Sequence, residues 1–250
     1  MWHYRELIKN LTLAEFKNRY QNTTLGFFWS LLSPLLLSLV LWFVFRNLFR
    51  QEEDFAANLL VGIMAWRFFA TGTSAALQSI VSKPSLVTKV YIPRQILVLS
   101  TVLANLISSL LEFLVLLPIL FVLLKHLPLT IVLFPLVHIP YLLFIYGIGL
   151  LLAALFVYFR DLNQIWEVLI NVLFFCSPII YPLSIVPGYL MPYYMLNPIT
   201  QFIVTYRHLM VAGTLPPITS ITGVIAIATI AWLIGNYAFN RLQRRFAEEV

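Results

Sequence analysis

Two ionisable side chains stand inside long apolar runs: Arg67 in LVGIMAWRFFATG and Glu112 in SSLLEFLVLLPIL. An isolated charge at mid-membrane costs about 2.5–3.5 kcal/mol even on the lenient insertion scale, so a partner is required. Arg67 lies about eight residues, roughly 12 Å, below the outer end of its run, and Glu112 about twelve residues, roughly 18 Å, below that of the next. Tilt of the longer helix brings these depths together, and the two are expected to form an intramembrane ion pair. Polar side chains recur around them. Thr101, Asn105, Ser108 and Glu112 fall at offsets of four, three and four, a stripe along one helix face. Gln164, Glu167, Asn171, Phe174 and Pro178 make a second stripe, with Phe175 and Tyr181 adding aromatic faces. Such stripes either line a wet path or bond helices together, typically for about 0.6 kcal/mol per group.

The composition explains why buried polar groups matter here. Hydrophobic residues make up 61% of the 250-residue chain and charged residues 10%, against about 25% charged in soluble domains, and the mean hydropathy is +0.90. This is the composition of an all-α integral membrane protein. The net charge of +6 resides in short clusters between apolar runs, not on one basic face, so topology and not nucleic acid accounts for it. Cys176 is the only cysteine, which excludes an internal disulfide and a multi-cysteine metal site. His3, His126 and His208 are scattered without metal-ligand spacing, and His138, beside Pro140 in an apolar run, reads as a local hydrogen bonder.

Runs long enough to cross a bilayer cover 27–48, 59–81, 96–124, 131–158, 165–181 and 218–239, which predicts six transmembrane helices. Residues 1–26 hold several charges and no apolar core of signal-peptide length, so they are expected to remain in the mature chain. Tyr4, Leu7, Ile8 and Leu11 recur at helical spacing, which predicts an amphipathic helix on the membrane surface; Thr12-Leu13-Ala14-Glu15 reads as a capping box that starts a further helical turn. Residues 182–216 are apolar but broken by Pro182, Pro187, Pro192 and Pro198, which predicts a re-entrant or interfacial hairpin with Asn197 as N-cap, Pro198 at the first helical position and Gly213 near the stop. Ala228, Ala231, Gly235 and Ala238 form a small-residue stripe that admits a close helix neighbour.

Basic residues set the orientation. Arg5, Lys9, Lys17, Arg19, Lys83, Lys89, Arg94, Arg160, Arg241, Arg244 and Arg245 fall on one side, against Arg46, Arg50, Lys125 and Arg207 on the other. Both termini are therefore expected in the cytoplasm of a multi-pass plasma (inner) membrane protein, with Glu52, Glu53 and Asp54 in an outer loop. On the inner side lies KPSLVTKVYIPR, residues 83–94. Pro84 is placed to start a helix and Pro93 to end one, leaving a rod of about eight residues, roughly 12 Å long. A rod of this kind serves either as a docking surface for a cytoplasmic partner or as a topology signal that meets lipid phosphates.

RYQNTTLGFFWSLLSPLL, GIMAWRFF, KPSLVTKVYIPR, YFRDLNQI, SPIIYPLSIVP and LNPIT, in this order, resemble the permease subunit of ATP-binding-cassette exporters of cell-surface polysaccharides, the O-antigen and teichoic-acid export family. Gln21 and Asn22 depart from the basic or small residues of many members. The resemblance implies a homodimer of permeases, two separate ATPase subunits that carry ATP and Mg, and a polyprenyl-diphosphate-linked glycan as cargo. Within it, residues 82–94 become a cytoplasmic coupling segment, carried by Lys83, Pro84, Leu86, Lys89, Tyr91, Pro93 and Arg94. The cargo path is expected along the first and fifth spans, with Trp29, Ser30 and Ser33 on the first and Gln164, Glu167, Asn171, Phe174, Phe175 and Tyr181 on the fifth, since aromatic faces and amides suit sugars.

The chain contains no G-x-x-x-x-G-K-[ST] phosphate loop, so it is expected to be no enzyme and to hold no cofactor of its own. Two other classes bound the reading. An ion-coupled secondary carrier needs intramembrane carboxylates paired across an internal repeat, and an enzyme acting on polyprenyl-linked glycans needs clustered Asp, His or Arg at one interface. Neither pattern is present; Asp161 beside Arg160 reads as an ion pair or a helix cap.

Overall fold

Residues 4–21, 27–46, 54–90 and 92–246 are described by a computed structural model. They form α1 (Arg5–Tyr20), α2 (Phe27–Phe45), α3 (Phe55–Gln78), α4 (Pro84–Lys89), α5 (Gln95–Leu124), α6 (Phe134–Tyr158), α7 (Leu162–Phe175), α8 (Met191–Leu196), α9 (Pro198–Met210) and α10 (Ile218–Leu242). Among the described residues four helices are long and apolar enough to cross a membrane: α3, α5, α6 with the turn before it, and α10. α2 and α7 are the shorter apolar helices, and α7, with 14 residues, is roughly 21 Å long against a hydrocarbon core of about 30 Å. The fifth apolar run, expected to continue to Tyr181, leaves the helix at Phe175. Pro178 lacks the N–H that would extend the ladder and disfavours helical backbone at Ser177, whose hydroxyl instead donates to the Leu173 carbonyl at 2.8 Å. The end of the first run, at Leu48, lies outside the described residues.

α3 is the axis of the bundle: it packs on α5, α6 and α9, with α2 and α7 on its flanks. Between α3, α6 and α9 the core is aromatic. His138 is stacked between Phe68 and Phe134, at 4.5 and 4.4 Å between ring centroids, and its Nδ1 is 2.7 Å from the Tyr206 hydroxyl. Tyr141 stacks on Phe202 at 4.2 Å. These rings fasten α9, which the backbone also secures: Asn197 Oδ1 accepts from the Ile199 N–H at 3.0 Å, Pro198 occupies the first turn, and Gly213 closes the segment with a φ of +65°.

α6 and α10 meet backbone to backbone. A Cβ placed on Gly235 would fall 2.0 Å from the Gly147 carbonyl oxygen, and one on Gly147 would fall 2.5 Å from the Ala231 carbonyl carbon. The small-residue stripe on α10 thus has α6 as its neighbour, an approach that only glycine permits at these two positions.

α1 does not stand clear of the bundle. It lies along α5, and its last turn engages the polar stripe of that helix: Arg19 Nη1 donates to Asn105 Oδ1 at 3.1 Å and the Tyr20 hydroxyl to Ser108 Oγ at 2.9 Å. Asn105, 2% exposed, also accepts from Thr71 Oγ1 at 2.9 Å and donates through Nδ2 to the Phe68 carbonyl at 3.0 Å, so one carboxamide joins α1, α3 and α5. Two turns further along α5, Glu112 Oε1 lies 3.5 Å from Arg67 Nη2. Thr101 and Ser108 also donate back to carbonyls of their own helix. The stripe is thus spent on bonds between and within helices. The expected capping box is not formed: Thr12 lies buried inside one continuous helix, because its face meets α5, while Glu15 pairs with Lys83.

Two outcomes follow for stability. Gly235→Ala must force α6 and α10 apart and is expected to cost about 3 kcal/mol, read as a lower unfolding temperature of the purified protein in detergent. Gly188→Ala, whose Cβ would meet nothing within 4 Å, is expected to leave it unchanged. Glu112→Ala removes the carboxylate that faces the Arg67 charge; the expected loss is about 2–3 kcal/mol, below that of a fully buried pair, because the Arg67 side chain keeps 23% of its exposure. Arg67→Met combined with Glu112→Leu is expected to recover most of it in the same assay.

Candidate functional site

The end of the bundle that holds the C-terminus of α3 also carries α4. Pro84 takes the first helical turn, where a missing N–H costs nothing, and the helix is six residues long before Val90 turns extended. Its two ends are clamped inside the chain. Lys83, just before α4, is ion-paired with Glu15 of α1. Arg94, just after it, donates to the carbonyl of Gln243, beyond α10, and its guanidinium carbon lies 5.9 Å from the centre of the Phe246 ring. Beside Arg94, Gln95 Nε2 reaches Asn236 and Asn240 Oδ1, both at 2.9 Å, and Tyr158 donates to the Leu242 carbonyl at 2.8 Å. Val87 is buried and Leu86 half-buried, whereas Pro84, Ser85, Thr88, Lys89, Val90 and Pro93 are exposed. Of the residues expected to couple, therefore, Lys83 and Arg94 hold the helix in place and Lys89 faces outward; Tyr91 lies outside the described residues. A cleft of about 510 Å³ runs between α4, Pro93, Tyr4 and Gln243.

Residues expected along a path occupy two flanks of α3. α2 lies on its α5 side and α7 on its α6 side, so one protomer does not bring Trp29 and Ser33 together with the α7 set. Trp29, at 58% exposed, and Ser33 point away from the core; the Ser30 side chain lies outside the described residues. On α7, Gln164, Glu167 and Asn171 are exposed and Phe175 is 67% exposed, while Phe174 packs edge-on against Trp66 at 5.5 Å. Tyr181 is a brace: its hydroxyl donates to the Phe175 carbonyl at 3.0 Å and lies 3.1 Å from that of Tyr194. Asp161 stands at the N-cap of α7 with no side-chain capping bond, since its backbone is helical there, and the Arg160 guanidinium lies over Phe156.

Several residues of this region escaped the sequence reading. Thr71, Ser74 and Gln78 continue from Arg67 at offsets of four, three and four on α3 and give it a partly exposed polar edge. This edge meets α7 through a bond from Gln78 to Asn163 at 3.0 Å. The spacing is the same signal that marked α5. Arg207, counted only as an outer basic residue, donates to the carbonyls of Asn58 at 3.1 Å and Ile179 at 3.0 Å, tying α9 to the start of α3 and to the turn after α7.

Among the described residues no group of His, Cys, Asp or Glu is placed to hold a metal ion. What the geometry offers is two surfaces, a clamped helix at one end and an exposed lateral face, which suit binding and movement. The chain is 29% identical to an O-antigen export system permease protein RfbA of Klebsiella pneumoniae, over 97% of this chain and 94% of that one. It is 31% identical to the protein of the same name from Myxococcus xanthus, over 100% and 97%. Residues 6–211 match the ABC-2 type transporter family, and the chain belongs to that family as a permease-type transport subunit.

Proposed function

We propose that this chain is the permease of an ATP-driven exporter that moves a polyprenyl-diphosphate-linked, O-antigen-like polysaccharide out of the cytoplasm, as a homodimer bound to two ATPase subunits. The observation that carries the reading is relatedness, over nearly the whole of both chains, to proteins named as O-antigen export permeases. In this reading α2 and α7 complete six crossings with α3, α5, α6 and α10. The excess of Lys and Arg supports a cytoplasmic position for α4 and both termini; in this reading α1 is the interface helix, and α8 with α9 is the outer re-entrant hairpin. α4 is the coupling helix, and its exposed Ser85, Thr88 and Lys89 support that role. Clamps to α1 and to the end of α10 let a push on α4 reach the bundle.

The path is assigned to the lateral faces of α2 and α7 in two copies of the chain. α7 supports this assignment by presenting Ile165, Val168 and Val172 to the outside together with Gln164, Glu167 and Asn171, a face that a monomer leaves uncovered. A two-fold dimer sets such a face against itself and encloses a conduit. As for an ion-coupled carrier, the buried acid among the described residues is Glu112, and it is held by Arg67.

Reconstituted complexes test both assignments. Lys89→Glu is expected to lower ATP-driven export about tenfold with the unfolding temperature of the permease unchanged, whereas Lys83→Ala and Arg94→Ala are expected to lower both. Export at the wild-type rate from Lys89→Glu combined with Thr88→Glu would remove α4 as the docking face. For the dimer, Phe175→Cys in a Cys176→Ser background is expected to crosslink between protomers, and Phe174→Cys, turned toward Trp66, is expected not to.

A further inference from the structure

At the end of α3 opposite to α4, a cleft of about 480 Å³ opens between the start of α3, the turn after α7 and the end of α9. Its size lies within the roughly 300–1,000 Å³ of small-ligand sites. Asp54, Asn58, Tyr181, Ser184, Arg207 and His208 contribute to its lining. Asp54 and Asn58 are one helical turn apart and so share a face. Asp54 occupies the N-cap position of α3 with a φ of 57° and makes no side-chain capping bond, although capping is the ordinary use of an aspartate there. Its exposed carboxylate is therefore not consumed by the helix. His208 uses Nδ1 in a 3.0 Å contact with Thr214 Oγ1, which leaves Nε2 outside that bond. The Tyr181 hydroxyl is fixed by the Phe175 carbonyl and Tyr194, so the ring is held in a set position beside the cleft. Arg207, anchored on the Asn58 and Ile179 carbonyls, keeps the walls together.

We infer that this cleft is a saccharide-binding subsite that receives a short segment of the glycan on the outer side of the membrane; the inference rests on the polysaccharide-export reading above. A carboxylate, a carboxamide and an imidazole within one cleft can bond several hydroxyls at once, and a fixed tyrosine ring offers a face to the C–H side of a sugar. Phe55, Leu59, Ile180 and Leu183 add apolar wall that can face the C–H groups of a sugar, and Asp54 with Arg207 gives the cleft charges of both signs. Placed where α3 begins and α9 ends, the subsite holds an emerging chain against the hairpin and disfavours its return.

Saturation-transfer NMR on the full-length permease in nanodiscs tests this with methyl glycosides of a hexose, a 6-deoxyhexose and an N-acetylhexosamine as probes. At least one is expected to receive saturation from the wild-type protein. Asp54→Asn combined with Asn58→Ala is expected to reduce that transfer about fivefold or more, and Ser184→Trp, which fills the cleft from an exposed position, to do the same. Thr222→Ala, exposed on α10, is expected to leave it unchanged. Absence of transfer to every probe from the wild-type protein, or equal transfer with Ser184→Trp, would overturn the subsite. The assay needs neither ATPase nor polyprenyl lipid. Glycoside binding without export of lipid-linked glycan would therefore sink the cargo reading alone, and export without glycoside binding would sink the subsite alone.

Discussion

The Asn105 carboxamide is the point on which the half of this bundle that carries α1 depends. In hydrocarbon a polar group without a partner is costly, so whichever helices satisfy Asn105 are held in register around it. Its oxygen accepts from Arg19 of α1 and Thr71 of α3, and its amide donates to the Phe68 carbonyl. α3 makes room for it with Gly72, where a Cβ would fall 2.7 Å from the Asn105 amide nitrogen. The neighbouring Arg67 and Glu112 add a charged contact between the same two helices. For α1, which lies along α5, these bonds add a polar fastening at its last turn.

The remainder of the fold is closed by different means on its two sides. Toward α6, α9 and α10 the chain uses apolar shape: the Gly147 to Gly235 approach and the ring cluster around His138. Neither leaves space for a ligand. Toward α2 and α7 it uses single anchors, such as Trp166 Nε1 donating to Thr73 Oγ1 at 3.2 Å, and leaves broad surfaces uncovered. The rigid side and the open side share α3.

How much of this was legible depends on how local the determining physics is. The all-α, multi-pass architecture can be read because hydropathy is a property of consecutive residues. Pro84, Asn197 and Pro198 likewise act within one turn, and each stands at the helix start where its type belongs. Thr12 misled because the same four residues can cap a helix or lie inside one, and only contact with α5 decides. The end of α7 misled because Phe175 to Tyr181 is apolar apart from Ser177, so hydropathy continues where Pro178 stops the backbone. The stripe on α5 was visible as a stripe, but its partners Arg19, Tyr20 and Thr71 come from distant segments that no spacing connects. The clamps on α4 were invisible for the same reason. Lys83 and Arg94 look like Lys89 in the sequence and differ only in having Glu15 and the Gln243 carbonyl within reach.

These clamps bear on how a six-residue helix can matter to a protein of this size. A helix so short has little stability of its own, and a free loop carrying it would absorb any force applied to it. Here the two ends are held by different elements, α1 through Glu15 and the segment after α10 through the Gln243 carbonyl and the Phe246 ring. Force on α4 is therefore divided. The α1 branch leads to Arg19 and so to Asn105 and α3, while the α10 branch leads to Gly235 and so to the backbone of α6. Both branches meet in α3, which packs on α6 as well as on α5 and bears α2 and α7 on its flanks. If α4 receives the ATPase in the proposed exporter, the flanking helices are the parts able to respond, because the aromatic and glycine contacts elsewhere have no slack to take up.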